Sequence, residues 1–188
     1  MTIAVRKLRP DDDRSTFDSG DPDLDRFFKR FAGQNQFKHY VGSTYVAEEA
    51  GLLVGFATVS AAQVEIRDLP PAKHGHLPRY PLPVLRLARL AVDKKAQGRG
   101  VGLTLLKAVF VLARTMADDF GCIGVVVDAK PQAVTFYERY GFTSLEVVQG
   151  QLGDRPEPLP MFLEIGAIPV HAAERARAGP GATGGALK

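Results

Sequence analysis

A strand-forming run, Leu90-Ala91-Val92, passes through Asp93-Lys94-Lys95-Ala96 into Gln97-Gly98-Arg99-Gly100-Val101-Gly102. Beyond it, Leu103, Leu106, Phe110, Ala113 and Ala117 recur at intervals of three and four. That recurrence marks an amphipathic helix, so a glycine-rich turn joins a strand to a helix N-terminus. Glycines let backbone N–H groups converge without obstruction by Cβ. The first turn of a helix adds unpaired donors and a positive dipole end, so the turn is suited to an anion. Two phosphate loops are excluded. No Gly-Lys-Ser/Thr follows, as a P-loop requires, and the spacing is G-x-G-x-G rather than the G-x-G-x-x-G of dinucleotide sites. Taken alone, the segment remains compatible with a plain tight turn.

Strand and helix patterns alternate around this turn. Ile3 to Leu8 reads as a first strand. Asp21-Pro22 opens a helix with an N-cap acid and proline at the first helical position, and Leu24, Phe27, Phe28 and Phe31 give it one apolar face. Ser43 to Glu48 and Leu52 to Val64 pair across the turn Glu49-Ala50-Gly51. Strands follow at Val84 to Val92, Ile123 to Asp128, Phe142 to Val148 and Met161 to Ile165, with a short helix at Pro131 to Tyr140. The alternation predicts an α/β (α+β) domain built on a mixed sheet. Asp68 to Pro83 carries five prolines and reads as a long surface loop, and loops of that length are often functional. Residues 1–166 are expected to form the domain. The Ala- and Gly-rich 167–188 are expected to be a disordered tail, because such a composition buries little apolar area.

Composition narrows the class. The only cysteine, Cys122, leaves no disulfide framework and no Cys-based cluster, and no metal is expected. No apolar run approaches the roughly 20 residues that span a bilayer, and Met1 to Arg6 lacks a signal peptide's apolar region. A soluble, cytoplasmic chain is expected. The net charge of +3 names no partner, but its distribution is uneven. Asp11 to Asp25 holds seven acids and one base, Arg26 to Lys38 four bases and no acid, and Ser60 to Gly100 eight bases and three acids. Basic stretches can attract polyanions, although solvated faces are often charged.

Gln97-Gly98-Arg99-Gly100-Val101-Gly102 after Leu-Ala-Val resembles the Q/R-x-x-G-x-G/A pyrophosphate loop of the GCN5-related N-acetyltransferase (GNAT) family. Ala133-Val134-Thr135-Phe136-Tyr137-Glu138-Arg139-Tyr140-Gly141-Phe142 is similar to a second motif of that family, A-x-x-F-Y-E-x-x-G-F, in the expected order. The resemblance spans residues 3 to 165. It implies a mixed, mostly antiparallel sheet with two splayed parallel strands, Val84–Val92 and Ile123–Asp128, and acetyl-CoA lying between them. Leu90, Ala91 and Val92 would hold the thioester and pantetheine arm; Gln97, Gly98, Arg99, Gly100, Val101 and Gly102 would hold the pyrophosphate; Phe136 would line the cofactor site. Helix spacing alone reads Tyr137 as a core aromatic. The resemblance makes it the catalytic proton donor to the departing thiolate, a role that suits a phenol of pKa near 10. No general base stands out. His39, His74, His76 and His171 lie in loops or the tail, and Glu65 and Asp93 lack a pairing signature. An α-amine near pKa 7.7–8.0 is already partly neutral and needs less help than a lysine.

Further matches narrow the resemblance to the toxin branch of type II toxin–antitoxin systems, the TacT and AtaT group. They are Phe17 to Phe28 followed by Gln34-Asn35-Gln36, Leu69-Pro70-Pro71, Arg79 to Val92, and Val127-Asp128-Ala129-Lys130. Ser19 stands where the branch usually has cysteine, at a position that is not catalytic. The branch acetylates the α-amine of aminoacyl-tRNA and so blocks translation. It is neutralised by a ribbon-helix-helix antitoxin through which DNA is contacted, and its members are often homodimers. On this reading Arg86, Arg89, Arg79, Lys29, Arg30 and Lys38 are the candidate tRNA contacts, held to phosphates by salt-sensitive attraction. Two alternatives stand beside it: an acetyltransferase of a small amine or a protein N-terminus, and a non-catalytic module that only binds acetyl-CoA.

Overall fold

The computed structural model describes residues 2–145 and 158–169. Seven strands form one sheet: β1 Ala4–Lys7, β2 Ser43–Glu49, β3 Leu52–Val64, β4 Leu82–Val92, β5 Gly124–Ala129, β6 Thr143–Ser144 and β7 Leu159–Glu164. Their order across the sheet is β1-β2-β3-β4-β5-β7-β6. Every neighbouring pair is antiparallel except β4–β5. A parallel pair needs a crossover, and α3, Val101–Asp119, supplies it. The expected strand over 142–148 is only Thr143–Ser144 among the described residues; 146–148 lie outside them.

The sheet is covered on both sides. Under α3, the side chains of Leu105, Leu106, Val109, Ala113 and Met116 meet Ala57, Val59, Leu85, Leu87, Val125 and Val127 of the sheet. The helix α4, Val134–Arg139, joins this layer through Tyr137. On the opposite face, Phe17, Phe27, Phe28 and Ala32 pack against Val46, Phe56 and Ala91. Phe28 and Phe56 stack with centroids 4.3 Å apart, and burying each ring contributes about 1.5–3 kcal/mol. A third cluster, Leu69, Leu82, Val84, Leu145 and Phe162, seats the proline loop. Ile168 is also buried, and its carbonyl accepts from Arg114. The packed body therefore reaches past the expected boundary at 166, while the tail from 170 lies outside the described residues.

The first helical segment departs from the regular periodicity expected of it. Asp21 caps α1, Pro22–Arg26, by accepting from the N–H groups of Asp23 and Leu24. A π-helical turn, Phe27–Phe31, then precedes α2, Ala32–Phe37. The wider turn displaces later residues around the axis. Phe27 and Phe28 are buried, but Phe31 is 44% exposed and does not share their face. Single π turns of this kind are frequent at functional sites.

Candidate active site

β4 and β5 pair only at Leu85–Leu87 with Val125–Val127. Beyond Leu87 the strands part, so that edge of β4 has no ladder partner from Ala88 to Val92. The cause lies on the other side of β4. Thr58 faces Arg89 and Val59 faces Leu87, which leaves Ala88 as the extra residue of a β-bulge. A bulge bends its strand and increases its twist. It also exchanges faces: Leu85 and Leu87 pack under α3, whereas Ala91 packs with the first helical segment.

The gap is a cleft of about 250 Å³, lined by Leu90, Ala91, Val92, Gln97, Asp128 and Tyr137 among others. Past Val92, Asp93 accepts from the N–H of Lys95 and from that of Asp18. Its carboxylate therefore braces the turn. Gln97 donates from Nε2 to the carbonyls of Ser19 and Val92, 3.0 Å each, tying the turn to the N-terminal segment. Gly98 and Gly100 have φ of +74° and +81°, a region L side chains rarely adopt. A Cβ at either would meet nothing within 4 Å, so conformation rather than crowding calls for glycine. α3 starts at Val101, and no side chain caps its N-terminus. Its first N–H groups are therefore left for a ligand or water. Gly98 to Gly102 stand in this turn, outside the cleft lining. The Arg99 side chain is committed to the fold: its Nη2 lies 2.7 Å from both carboxylate oxygens of the buried Glu49. Phe136 backs Gly102 and meets Tyr137 edge-on at 5.2 Å.

Tyr137 is 5% exposed, wedged against Phe136 and Phe142. Among the described residues nothing hydrogen-bonds its hydroxyl, and burial alone pushes the phenol above its ordinary value near 10. A neutral O–H thus faces the cleft across the working pH range. No base accompanies it. Asp21 also lines the cleft, but its carboxylate caps α1 and pairs with Lys130. Burial opposes its charge, yet the hydrogen bonds from Lys130 and Leu24 hold it below the usual carboxylate range. Asp128 pairs with Arg86. Ser19 donates to Asp25 at 2.6 Å, which is a structural role.

A second cavity, of about 720 Å³, adjoins the cleft. It is floored by Arg86, Ala88 and Arg89 of β4 and walled by Asp23, Arg26, Phe27 and Phe31 of the first helical segment. Leu24, Ala88, Arg89 and Lys130 line both cavities and form the passage between them. Of the candidate tRNA contacts, the structure brings Arg86 and Arg89 together here. Lys29, Arg30, Lys38 and Arg79 are exposed but line neither cavity. Sequence reasoning did not single out Lys130 or Arg26. The signal for Lys130 was present in Val127-Asp128-Ala129-Lys130; nothing local marks Arg26.

A splayed parallel pair, a glycine turn at the N-terminus of the crossover helix and a tyrosine in the gap define an acyltransferase of the GNAT type. Residues 41–144 match the acetyltransferase (GNAT) domain, and the chain belongs to that family. It is 34% identical over 142 residues to the tRNA-acetylating toxin of Mycobacterium tuberculosis (strain ATCC 25618 / H37Rv), covering 74% of this chain and 83% of the relative. Among solved structures, a tyrosine-to-phenylalanine mutant of KacT superposes with a TM-score of 0.75 at 25% identity, over 89% of this chain and 98% of that one. AtaTR bound with AcCoA gives 0.69 at 25% identity, over 88% and 95%.

Proposed function

We propose that this chain transfers the acetyl group of acetyl-CoA to the α-amine of aminoacyl-tRNA, and that it is the toxin of a type II toxin–antitoxin pair. One observation carries the reading: the unpartnered Tyr137 hydroxyl lies in a cleft that opens, past Ala88 and Arg89, into a cationic groove. The M. tuberculosis relative named for tRNA acetylation supports it.

The residues present fit acetyl-CoA. Unpaired N–H groups at the start of α3 and two glycines at positive φ make a cradle with space for a pyrophosphate. The open edge of β4 at Leu90, Ala91 and Val92 offers main-chain groups to an amide-bearing arm. When bound, acetyl-CoA supplies a thioester whose carbonyl carbon is the electrophile. The chain's residues do the rest. A main-chain N–H of the open edge polarises the carbonyl oxygen. Tyr137 holds a proton for the leaving thiolate, and burial keeps it protonated. The passage residues orient the amine. With the cleft carboxylates committed to Lys130 and Arg86, the amine's proton goes to water, which suits an esterified α-amine better than a lysine.

The partner we assign is a ribbon-helix-helix antitoxin, through which the pair contacts DNA; the setting is the cytoplasm, where charged tRNA is found. The test is transfer of label from acetyl-CoA to charged tRNA, with uncharged tRNA and small amines as controls. Label is expected on the charged tRNA alone. Label on uncharged tRNA, or on small amines only, overturns the assignment.

A further inference from the structure

Four cations line the groove, and three of them have a carboxylate. Arg86 pairs with Asp128, Lys130 with Asp21 and Arg26 with Asp23. Arg89 differs. It is half-buried, its guanidinium carbon sits 3.8 Å from the centroid of the buried Phe27 ring, and among the described residues no carboxylate or side-chain hydrogen bond engages it. Burial and the neighbouring charge of Arg86 both work against its charged form. A partly desolvated cation without a counter-ion is an unfavourable arrangement unless an anion completes it. Stacking on Phe27 fixes the guanidinium plane and leaves its N–H donors at the edge, and Arg89 opens onto both cavities.

We propose that Arg89 is the receptor for an oxyanion of the acceptor, the phosphate of a nucleotide whose acylated sugar carries the amine through the passage into the cleft. The proposal rests on the aminoacyl-tRNA reading and adds a rule to it: the acceptor must carry a phosphate within reach of its amine. A free amino acid could offer its carboxylate instead, but the groove, at about 720 Å³ against 250 Å³ for the cleft, has room for a nucleotide beyond the amine. Lys130 and Arg86 are already neutralised by partners and shape the walls. Arg89 is a positioning residue, since it touches the acceptor away from the reacting atoms.

The test is a cycle of substrate and residue on the full chain. Acceptors are a 3′-aminoacyl adenosine, the same compound with a 5′-phosphate, the free amino acid, and charged tRNA. Proteins are the wild type, Arg89→Gln, Arg89→Lys and Arg86→Gln, with acetyl transfer read as kcat/KM and acetyl-CoA affinity measured separately. In the wild type the 5′-phosphate is expected to raise kcat/KM about 10- to 100-fold, the size of a charge-assisted pair. That gain falls below about threefold in Arg89→Gln, is intermediate in Arg89→Lys, and keeps its ratio in Arg86→Gln whatever the absolute rate. Acetyl-CoA affinity unchanged in Arg89→Gln shows the variant folded and the phosphate to be the acceptor's. A gain that survives Arg89→Gln overturns the proposal, as does an acetyl-CoA affinity that falls in step with activity. A free amino acid used as well as the phosphorylated ester overturns it too. Equal use of both adenosine esters by the wild type refutes the phosphate rule while leaving the function standing. Failure to acetylate any aminoacyl ester, charged tRNA included, refutes the function itself.

Discussion

Replacing Tyr137 with phenylalanine removes one oxygen from a side chain that is 5% exposed and keeps every ring contact with Phe136 and Phe142. Because the hydroxyl has no partner among the described residues, the change leaves nothing newly unsatisfied. Stability at pH 7 is therefore expected to be unchanged or raised by up to about 1 kcal/mol. Activity is expected to move the other way. A positioned general acid contributes about 10²- to 10⁴-fold, so kcat for acetyl transfer should fall at least about 100-fold with acetyl-CoA affinity unaltered. Alkaline pH supplies an independent check. Burial raises the phenol above 10 in the folded state, while the unfolded tyrosine titrates near 10. Between those values the native state keeps a proton that the unfolded state has released, so stability falls as pH rises. Urea midpoints of wild type and variant should run parallel from pH 7 to 9 and diverge above 10, with the wild type losing more. A variant that retains more than a third of wild-type kcat would refute the donor role, and parallel midpoints through pH 11 would refute the buried phenol.

Other perturbations address the frame. In Gly124→Ala a Cβ would stand 2.3 Å from the Leu163 carbonyl oxygen and 2.4 Å from the Phe162 ring, so β5 and β7 must move apart; urea denaturation should show a loss of about 1–3 kcal/mol or more, and a loss under about 0.5 would count against this packing. Gly100→Ala meets no neighbour but must hold φ near +81°, costing about 1–2 kcal/mol, and calorimetry should show weaker acetyl-CoA binding; unchanged affinity would remove the turn from the cofactor site. Arg99→Ala strands the buried Glu49 carboxylate and should destabilise by about 1–3 kcal/mol, of which Glu49→Gln in the same chain recovers part; a purely additive double variant would mean that the pair is not coupled.

Much of this architecture was legible because it rests on local chemistry. The Asp21-Pro22 helix start, the β2–β3 hairpin and the strand–turn–helix around Gly98 and Gly100 each follow from residues within a few positions. The motif around Tyr137 marked the cleft tyrosine before its burial was known. What stayed hidden depends on register. Nothing in Leu24, Phe27, Phe28 and Phe31 announces a π turn; it emerges from how the segment seats on Phe56, and it releases Phe31 to the groove wall. The basic residues were separable only in three dimensions. Arg86 and Arg89 look no different in sequence from Lys29, Arg30, Lys38 or Arg79, but only the first two line the groove.

The bulge at Ala88 explains why those two meet. Side chains alternate along a strand, so residues three apart on a regular β4 would project from opposite faces. One extra residue restores the parity, and Arg86 and Arg89 floor the same groove. The same residue lies where the β4–β5 ladder stops, immediately after Leu87 pairs with Val127. Donor cleft and acceptor groove thus begin at one irregularity in one strand. Their offset is set by a strand rise of about 3.3 Å per residue, not by loops free to shift. A site of that kind suits an amine that arrives on a short, anchored stem, because the anchor at Arg89 and the open edge from Leu90 to Val92 are neighbours on the backbone. A lysine amine at the end of a flexible four-carbon chain would gain little from that fixed spacing, and would still carry the proton that no group in this cleft is placed to remove.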